Sequence, residues 1–249
     1  MLKGIIIDNK EYNWDEYLQT DKSMFIYPIK LLISNLNTNY IKSPYSPSNI
    51  SLCMKKNYLE SINDFYITEQ SAYNFIRGSL IHKLLEGIIK KDSTFTAEQN
   101  VEYFIKDLNY NLKGQIDLYK NDILYDYKTT SDENIKYILK NGLKESYIWQ
   151  TNIYKYLLKK VHNIDINKIF IIFITMKNTY TTGGKIIIKD KYGKEIIEKL
   201  PSVPIYQDYI IENYILKRLN FLKDNSEPCS EPDTIICKSC YFYNLCYKK

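Results

Sequence analysis

The chain has 249 residues, 45% hydrophobic and 25% charged, which is normal for a globular protein and long enough for one large domain with a good core. Its 34 basic and 29 acidic residues leave +5, a balance that permits a nucleic-acid partner without demanding one. The N-terminal Met1-Leu-Lys-Gly-Ile-Ile-Ile-Asp lacks the apolar core of a signal peptide, and the longest apolar run, 169–176, is too short to span a bilayer. A cytoplasmic protein with no membrane partner is expected, and its 5 cysteines then read as metal ligands or buried thiols instead of disulfides.

In chain order, residues 1–43 give no clear assignment; 27–36 suit either a strand or a helix. Pro44 and Pro47 close that region, and Ser48 or Asn49 can cap a short helix over 50–63 that carries Cys53. From about 70 to 91, Ile76, Leu80, Ile81, Leu84, Leu85, Ile88 and Ile89 follow helical spacing. Strands are predicted at about 101–107, 110–120 and 122–129, helices near 132–141 and 145–161, strands near 168–176 and 184–189, and a last helix over 206–223. The order predicts an α/β fold, a mixed central sheet flanked by helices.

Within the strand pair, Asp126 and Lys128 are two apart on an alternating run and leave the same strand face. The run from Leu112 to Tyr119 also alternates, and Lys120-Asn-Asp-Ile123 suits a tight turn. A hairpin centred between Asn121 and Asp122 sets position 117 against 126. Asp117 and Asp126 then face each other at about 5 Å between Cβ atoms, where like charges destabilise a sheet. A divalent cation turns that penalty into a binding site; without one, this is a surface hairpin with ordinary polar residues.

Gly78, His82 and Glu86 recur at four-residue spacing and share one helix face beside the apolar stripe. A lone histidine there is ordinarily a hydrogen-bonded structural residue. Of the 2 histidines, His162 has no chemical company, so a functional one is His82. Gln150 occupies an inward position of the stripe Gln150, Ile153, Tyr154, Leu157, Leu158, Val161, and a buried amide needs partners. Either backbone groups satisfy it, or Gln150 and Tyr154 point together at a metal site or a phosphate.

The tail carries Cys237-x2-Cys240-x5-Cys246, and C-x2-C lets one loop supply two thiolates to one centre. Cys229 or Cys53 can supply a fourth ligand. The first choice makes a local Zn²⁺ knuckle; the second ties the two ends of the chain together.

The ordered set His82, Asp117, Asp126-Tyr127-Lys128 and Gln150-x3-Tyr154 resembles the PD-(D/E)XK nucleases of the RecB-like branch. The distal cysteine with the C-terminal C-x2-C-x5-C resembles the iron–sulfur members: the CRISPR-adaptation exonucleases, the AddB-type helicase–nucleases and related phage proteins. The resemblance spans roughly 45–249. It implies a restriction-endonuclease-like core over about 70–200, within a single nuclease domain of 1–249. It also implies a cysteine region formed by 45–63 and 225–249. Asp117, Asp126, His82 and the Tyr127 carbonyl are expected to hold Mg²⁺ or Mn²⁺, and Lys128 to polarise the attacking water. Gln150 and Tyr154 are expected to orient Lys128 or grip the DNA backbone. The resemblance makes Cys53 the fourth ligand, with Cys237, Cys240 and Cys246, of a structural 4Fe-4S cluster. It leaves the acid before the first metal-binding strand open between Glu98 and Glu102.

The activity implied by the resemblance is that of a bacterial or phage-encoded deoxyribonuclease, an end-directed exonuclease preferring single strands. Its partner is DNA and, on a separate chain, a helicase, a recombinase or a CRISPR integrase. Two other readings compete: a non-catalytic DNA-binding or assembly subunit that keeps the fold, and a structural protein whose cysteines hold Zn²⁺.

Overall fold

The computed structural model describes residues 1–36, 45–189, 194–223, 240 and 242. Its elements run β1 (Leu2–Ile7), β2 (Lys10–Asn13), α1 (Trp14–Gln19), α2 (Tyr27–Ser34), α3 (Pro47–Ile50), α4 (Met54–Ile62), β3 (Phe65–Thr68) and α5 (Glu69–Ile89). Next come β4 (Thr96–Ile105), a 3-10 turn (Lys106–Leu108), β5 (Tyr110–Lys120), β6 (Ile123–Thr129), α6 (Asp132–Asn141) and α7 (Glu145–His162). The remainder is β7 (Lys168–Ile174), β8 (Thr179–Thr181), β9 (Lys185–Lys189), β10 (Glu195–Lys199) and α8 (Asp208–Lys223).

The central sheet has the order β4-β5-β6-β7-β8. Only β6 and β7 run parallel within it; the other neighbours are antiparallel. This is the mixed sheet flanked by helices that the element order predicts. The parallel step comes from the crossover: β6 reaches β7 through α6 and α7, as a parallel pair requires. Local chemistry sets those helix bounds. Ser131 caps α6 by accepting from the Asn134 N–H at 3.3 Å, and Gly142 ends it at φ +86°. The main core joins Leu112, Ile116, Leu124, Ile171 and Phe173 of the sheet to Ile153, Leu157 and Leu158 of α7 and Ile211 and Ile215 of α8.

A smaller three-stranded sheet, β2-β1-β3, takes its first two strands from the segment that the sequence leaves unassigned. Strand β1 pairs antiparallel with β2 and parallel with β3, so the chain's first residues are tied to positions about sixty further on. Its own core holds Ile5, Tyr17, Ile33, Phe65, Ile67 and Ala72, and Phe242 from the tail is buried against Phe65 with ring centroids 5.9 Å apart. Residues 27–34 are helical, settling the strand-or-helix ambiguity.

Three expectations need correction. The helix over 50–63 is two helices capped elsewhere: Ser46 caps α3, and the chain is extended at Cys53, which is the N-cap of α4. Strand β4 begins at Thr96, earlier than the predicted 101. The apolar stripe of α5 is only partly covered, since Leu80, Leu84 and Ile88 are 54%, 63% and 57% exposed. No helix among the described residues is long and apolar enough to cross a membrane.

Candidate active site

The β5–β6 hairpin turns through Asn121 and Asp122, with Lys120 paired to Ile123 and Asn121 at φ +53°. Asparagine tolerates the left-handed region that a two-residue hairpin loop demands. The register puts 117 opposite 126, as the sequence requires, but the backbone ladder ends one pair short, at Leu118↔Tyr125. Its place is taken by a side chain: Asp117 Oδ2 accepts the Tyr127 backbone N–H at 2.7 Å. N–H and C=O of one strand residue point to the same edge, so the Tyr127 carbonyl is directed to the Asp117 side as well.

Helix α5 brings His82 to the other carboxylate oxygen. Its Nδ1 stands 3.3 Å from Asp117 Oδ1, and its ring meets Tyr127 edge-on at 6.0 Å. One turn earlier, Gly78 allows the helix to lie close to β6, where an added Cβ would stand 3.3 Å from Thr129 Oγ1. The Asp117 hydrogen bond raises the His82 pKa above its ordinary value, outweighing burial.

The third member comes from β4. Its register with β5, Ala97↔Leu118 and Gln99↔Ile116, puts Glu98 opposite Asp117. Ligand atoms of His82, Glu98 and Asp117 all lie within 4.8 Å of one another. Glu98 sits at φ +52°, a conformation that costs a non-glycine residue about 1 kcal/mol or more and that clusters at functional sites. Burial, then the Asp117 and Glu86 charges, push its carboxyl up to about 7. The sequence leaves Glu98 and Glu102 open; Glu102 instead pairs with Lys113 at 3.0 Å.

Asp126 stands outside that trio of ligand atoms. It is 2% exposed, and its Oδ2 meets Lys128 Nζ at 2.6 Å as an ion pair whose angle is not that of a hydrogen bond. Burial pushes the Asp126 carboxyl up, against the opposing pull of Lys128. Burial also opposes the Lys128 charge, but Asp126 and Asp117 overcome it and raise the lysine pKa. Lys128 is therefore a cation throughout the neutral range.

Helix α7 closes the site. Tyr154 is buried, and a Cβ on Gly114 would come within 2.9 Å of its Cε1 and 3.0 Å of Pro47 Cδ. Glycine at 114 is thus required by close approach. Burial first, then the Asp126 and Asp117 charges, push the Tyr154 phenol up, opposed by a hydrogen bond with Gln150. Gln150 is only half-buried; the fully buried amide on this helix is Asn152. Asn152 donates to the carbonyls of Ile148 and Pro204, both at 2.9 Å, and accepts from the Tyr206 N–H at 2.8 Å. Asn152 thereby fixes the segment leading into α8.

The donor set fits a divalent cation. Two carboxylates and an imidazole converge, the Glu98 carboxyl is hard to ionise without a counter-charge, and Asp126 Oδ2 nearby is buried without an aligned donor. Oxygen-rich sites of this kind suit Mg²⁺ or Mn²⁺. Of the cysteines, Cys53 is exposed at the start of α4, and Cys240 packs against the core of the smaller sheet. Cys229, Cys237 and Cys246 lie outside the described residues.

No family model matches the chain, and no curated protein matches its sequence. Among solved structures, a candidate exonuclease from Eubacterium rectale is similar at 13% identity and a TM-score of 0.33, covering 87% of this chain and 74% of its own, too loose a likeness to carry an argument. SSO0001 is similar at 18% identity with a TM-score of 0.54, and the match covers 89% of this chain and 94% of its own. The chain thus has a mixed α/β fold similar to that of SSO0001 along nearly its whole length.

Proposed function

We propose that this chain is a metal-dependent nuclease that hydrolyses DNA phosphodiester bonds, acting from ends and preferring single strands. The observation that carries the reading is the convergence of His82, Glu98 and Asp117 beside the Asp126–Lys128 pair. Three successive elements, α5, β4 and β5, deliver one imidazole and two carboxylates to one place, with the half-buried Lys128 ammonium next to them.

His82, Glu98 and Asp117 would hold Mg²⁺ or Mn²⁺, with Asp126 and the Tyr127 carbonyl as further donors. Such an ion lowers the pKa of a bound water and neutralises charge on a phosphoryl group. Lys128, kept protonated by Asp126, supplies a fixed positive charge that draws the scissile phosphate and orients the water hydroxyl. Asp126 holds that ammonium in place. Gln150 and Tyr154, one turn apart on α7, wall the site on that side and present an amide to the DNA backbone.

The same reading assigns Cys53, Cys237, Cys240 and Cys246 to a structural 4Fe-4S cluster. Burial of Phe242 against Phe65 supports a tail folded back onto the body. A helicase, a recombinase or a CRISPR integrase on another chain would supply its DNA ends. The deciding experiment is digestion of end-labelled single-stranded DNA with Mg²⁺ or Mn²⁺, with and without chelator. Chelator-sensitive cleavage is expected. A homogeneous, metal-loaded protein that leaves the DNA intact sinks the reading.

A further inference from the structure

The Tyr147 ring is shared by two lysines. Lys128 Nζ and Lys144 Nζ each lie 5.5 Å from its centroid, within the range of a cation–π contact. Behind it, the ring packs on Phe173 of β7 at 6.2 Å between centroids. Phe173 is completely buried, so Tyr147 is backed by the core. Along α7, Tyr147, Gln150 and Tyr154 fall at i, i+3 and i+7, which places them on one helix face.

We propose that Tyr147 is a positioning residue that holds Lys128 and Lys144 as a two-cation clamp for consecutive phosphates of one DNA strand. This rests on the nuclease reading above and adds a second backbone contact to it. Lys128 is tied on its other side by Asp126, which fixes it at the scissile phosphate. Lys144 is exposed, at the N-cap of α7, and makes no side-chain cap of its own. The two ammonium groups stand no further apart than twice the ring distance, and neighbouring phosphates of one strand, rising about 3.4 Å per nucleotide in a duplex, fall within that span. Two cations sharing one ring repel each other, and their attraction to its electron-rich face offsets part of that repulsion.

The test compares three variants on single-stranded DNA. Tyr147→Leu removes the ring and is expected to lower kcat about tenfold. Tyr147→Phe keeps the ring and is expected to stay within about threefold of wild type. Lys144→Ala is expected to raise KM with kcat unchanged and to flatten the dependence of log K on log salt by about 0.7, one phosphate contact on a single strand. In addition, the Lys128 side-chain resonances carry an upfield ring-current shift that Tyr147→Leu abolishes and Tyr147→Phe retains. Equal losses in Tyr147→Leu and Tyr147→Phe, or a salt slope unchanged in Lys144→Ala, overturn the clamp. Failure of wild type to cleave sinks the nuclease reading instead; the ring-current shift and the salt slope of binding then decide the clamp without turnover.

Discussion

Glu98 stands opposite Asp117 across the β4–β5 pair, and the Asp117 charge, after burial itself, is what pushes the Glu98 carboxyl up to about 7. The pair makes the metal-free site sensitive to pH. The folded-state pKa of Glu98 lies above its ordinary 4.5, so its contribution to stability is fully present below pH 4.5 and is lost as pH rises through about 7. Urea unfolding of metal-free protein is expected to show that decline, and Glu98→Gln to flatten it. An unchanged pH slope in Glu98→Gln would place the destabilising charge elsewhere.

Metal binding is expected to track the same protons in reverse. A cation needs Glu98 ionised and His82 neutral, and both groups have raised pKa values, so affinity climbs with pH toward neutrality. Calorimetric titration with Mn²⁺ across that range checks this, with His82→Ala and Glu98→Gln each weakening binding. Wild-type affinity independent of pH would exclude these ligands.

Lys128→Ala is expected to abolish cleavage. It also strands the Asp126 carboxylate, 2% exposed, without its partner. Breaking a buried pair costs about 3 kcal/mol, and the loss is largest where Asp126 is ionised. Denaturant titration at neutral and acid pH should show the variant recovering stability on acidification. Retained metal-dependent cleavage in Lys128→Ala removes the proposed mechanism.

Gly114→Ala is expected to disturb the site through packing alone. Its Cβ would press on Tyr154 at 2.9 Å and on Pro47 Cδ and Cγ at 3.0 Å, none of which can recede without moving α7 or α3. Overpacking of this kind costs about 1–3 kcal/mol. Thermal unfolding measures that loss, and near-ultraviolet dichroism of the tyrosines reports the displacement of Tyr154.

Asn152→Ala separates architecture from chemistry. It removes three hydrogen bonds to Ile148, Pro204 and Tyr206, two of which hold the approach to α8. A loss of about 2–3 kcal/mol in stability is expected, with Mn²⁺ affinity unchanged. A matching loss of affinity would mean that α8 helps shape the metal site.

The hairpin, its turn and helices α6 and α7 are legible in the sequence because each rests on local chemistry: alternation, an asparagine turn, the Ser131 cap and the Gly142 stop. The start of β4 is not, because Thr96 and Ala97 lead into Glu98-Gln99-Asn100, polar residues that suggest a loop. Pairing with β5 makes it a strand, and the choice of Glu98 over Glu102 depends on that pairing. Continuing the β5 register back across the Asn109 turn sets Glu98 against Asp117. The three-stranded sheet is hidden for a different reason: β1 and β3 are short and meet only through a parallel pairing across the intervening helices. Gln150 stands out in the sequence as an inward amide, while the wholly buried one two residues later, Asn152, reads as surface-like.

Arg218 of α8 donates from Nε to the Ile50 carbonyl at 2.7 Å and from Nη2 to the Leu52 carbonyl, reaching across 168 and 166 residues to the turn that presents Cys53. During synthesis that span takes on the order of ten to thirty seconds at ribosomal rates. Throughout that interval the turn before Cys53 lacks the Arg218 clamp, which forms only after every strand of the central sheet has been synthesised. An assembly on Cys53 that requires this turn to be held would thereby be tied to the end of folding instead of its beginning.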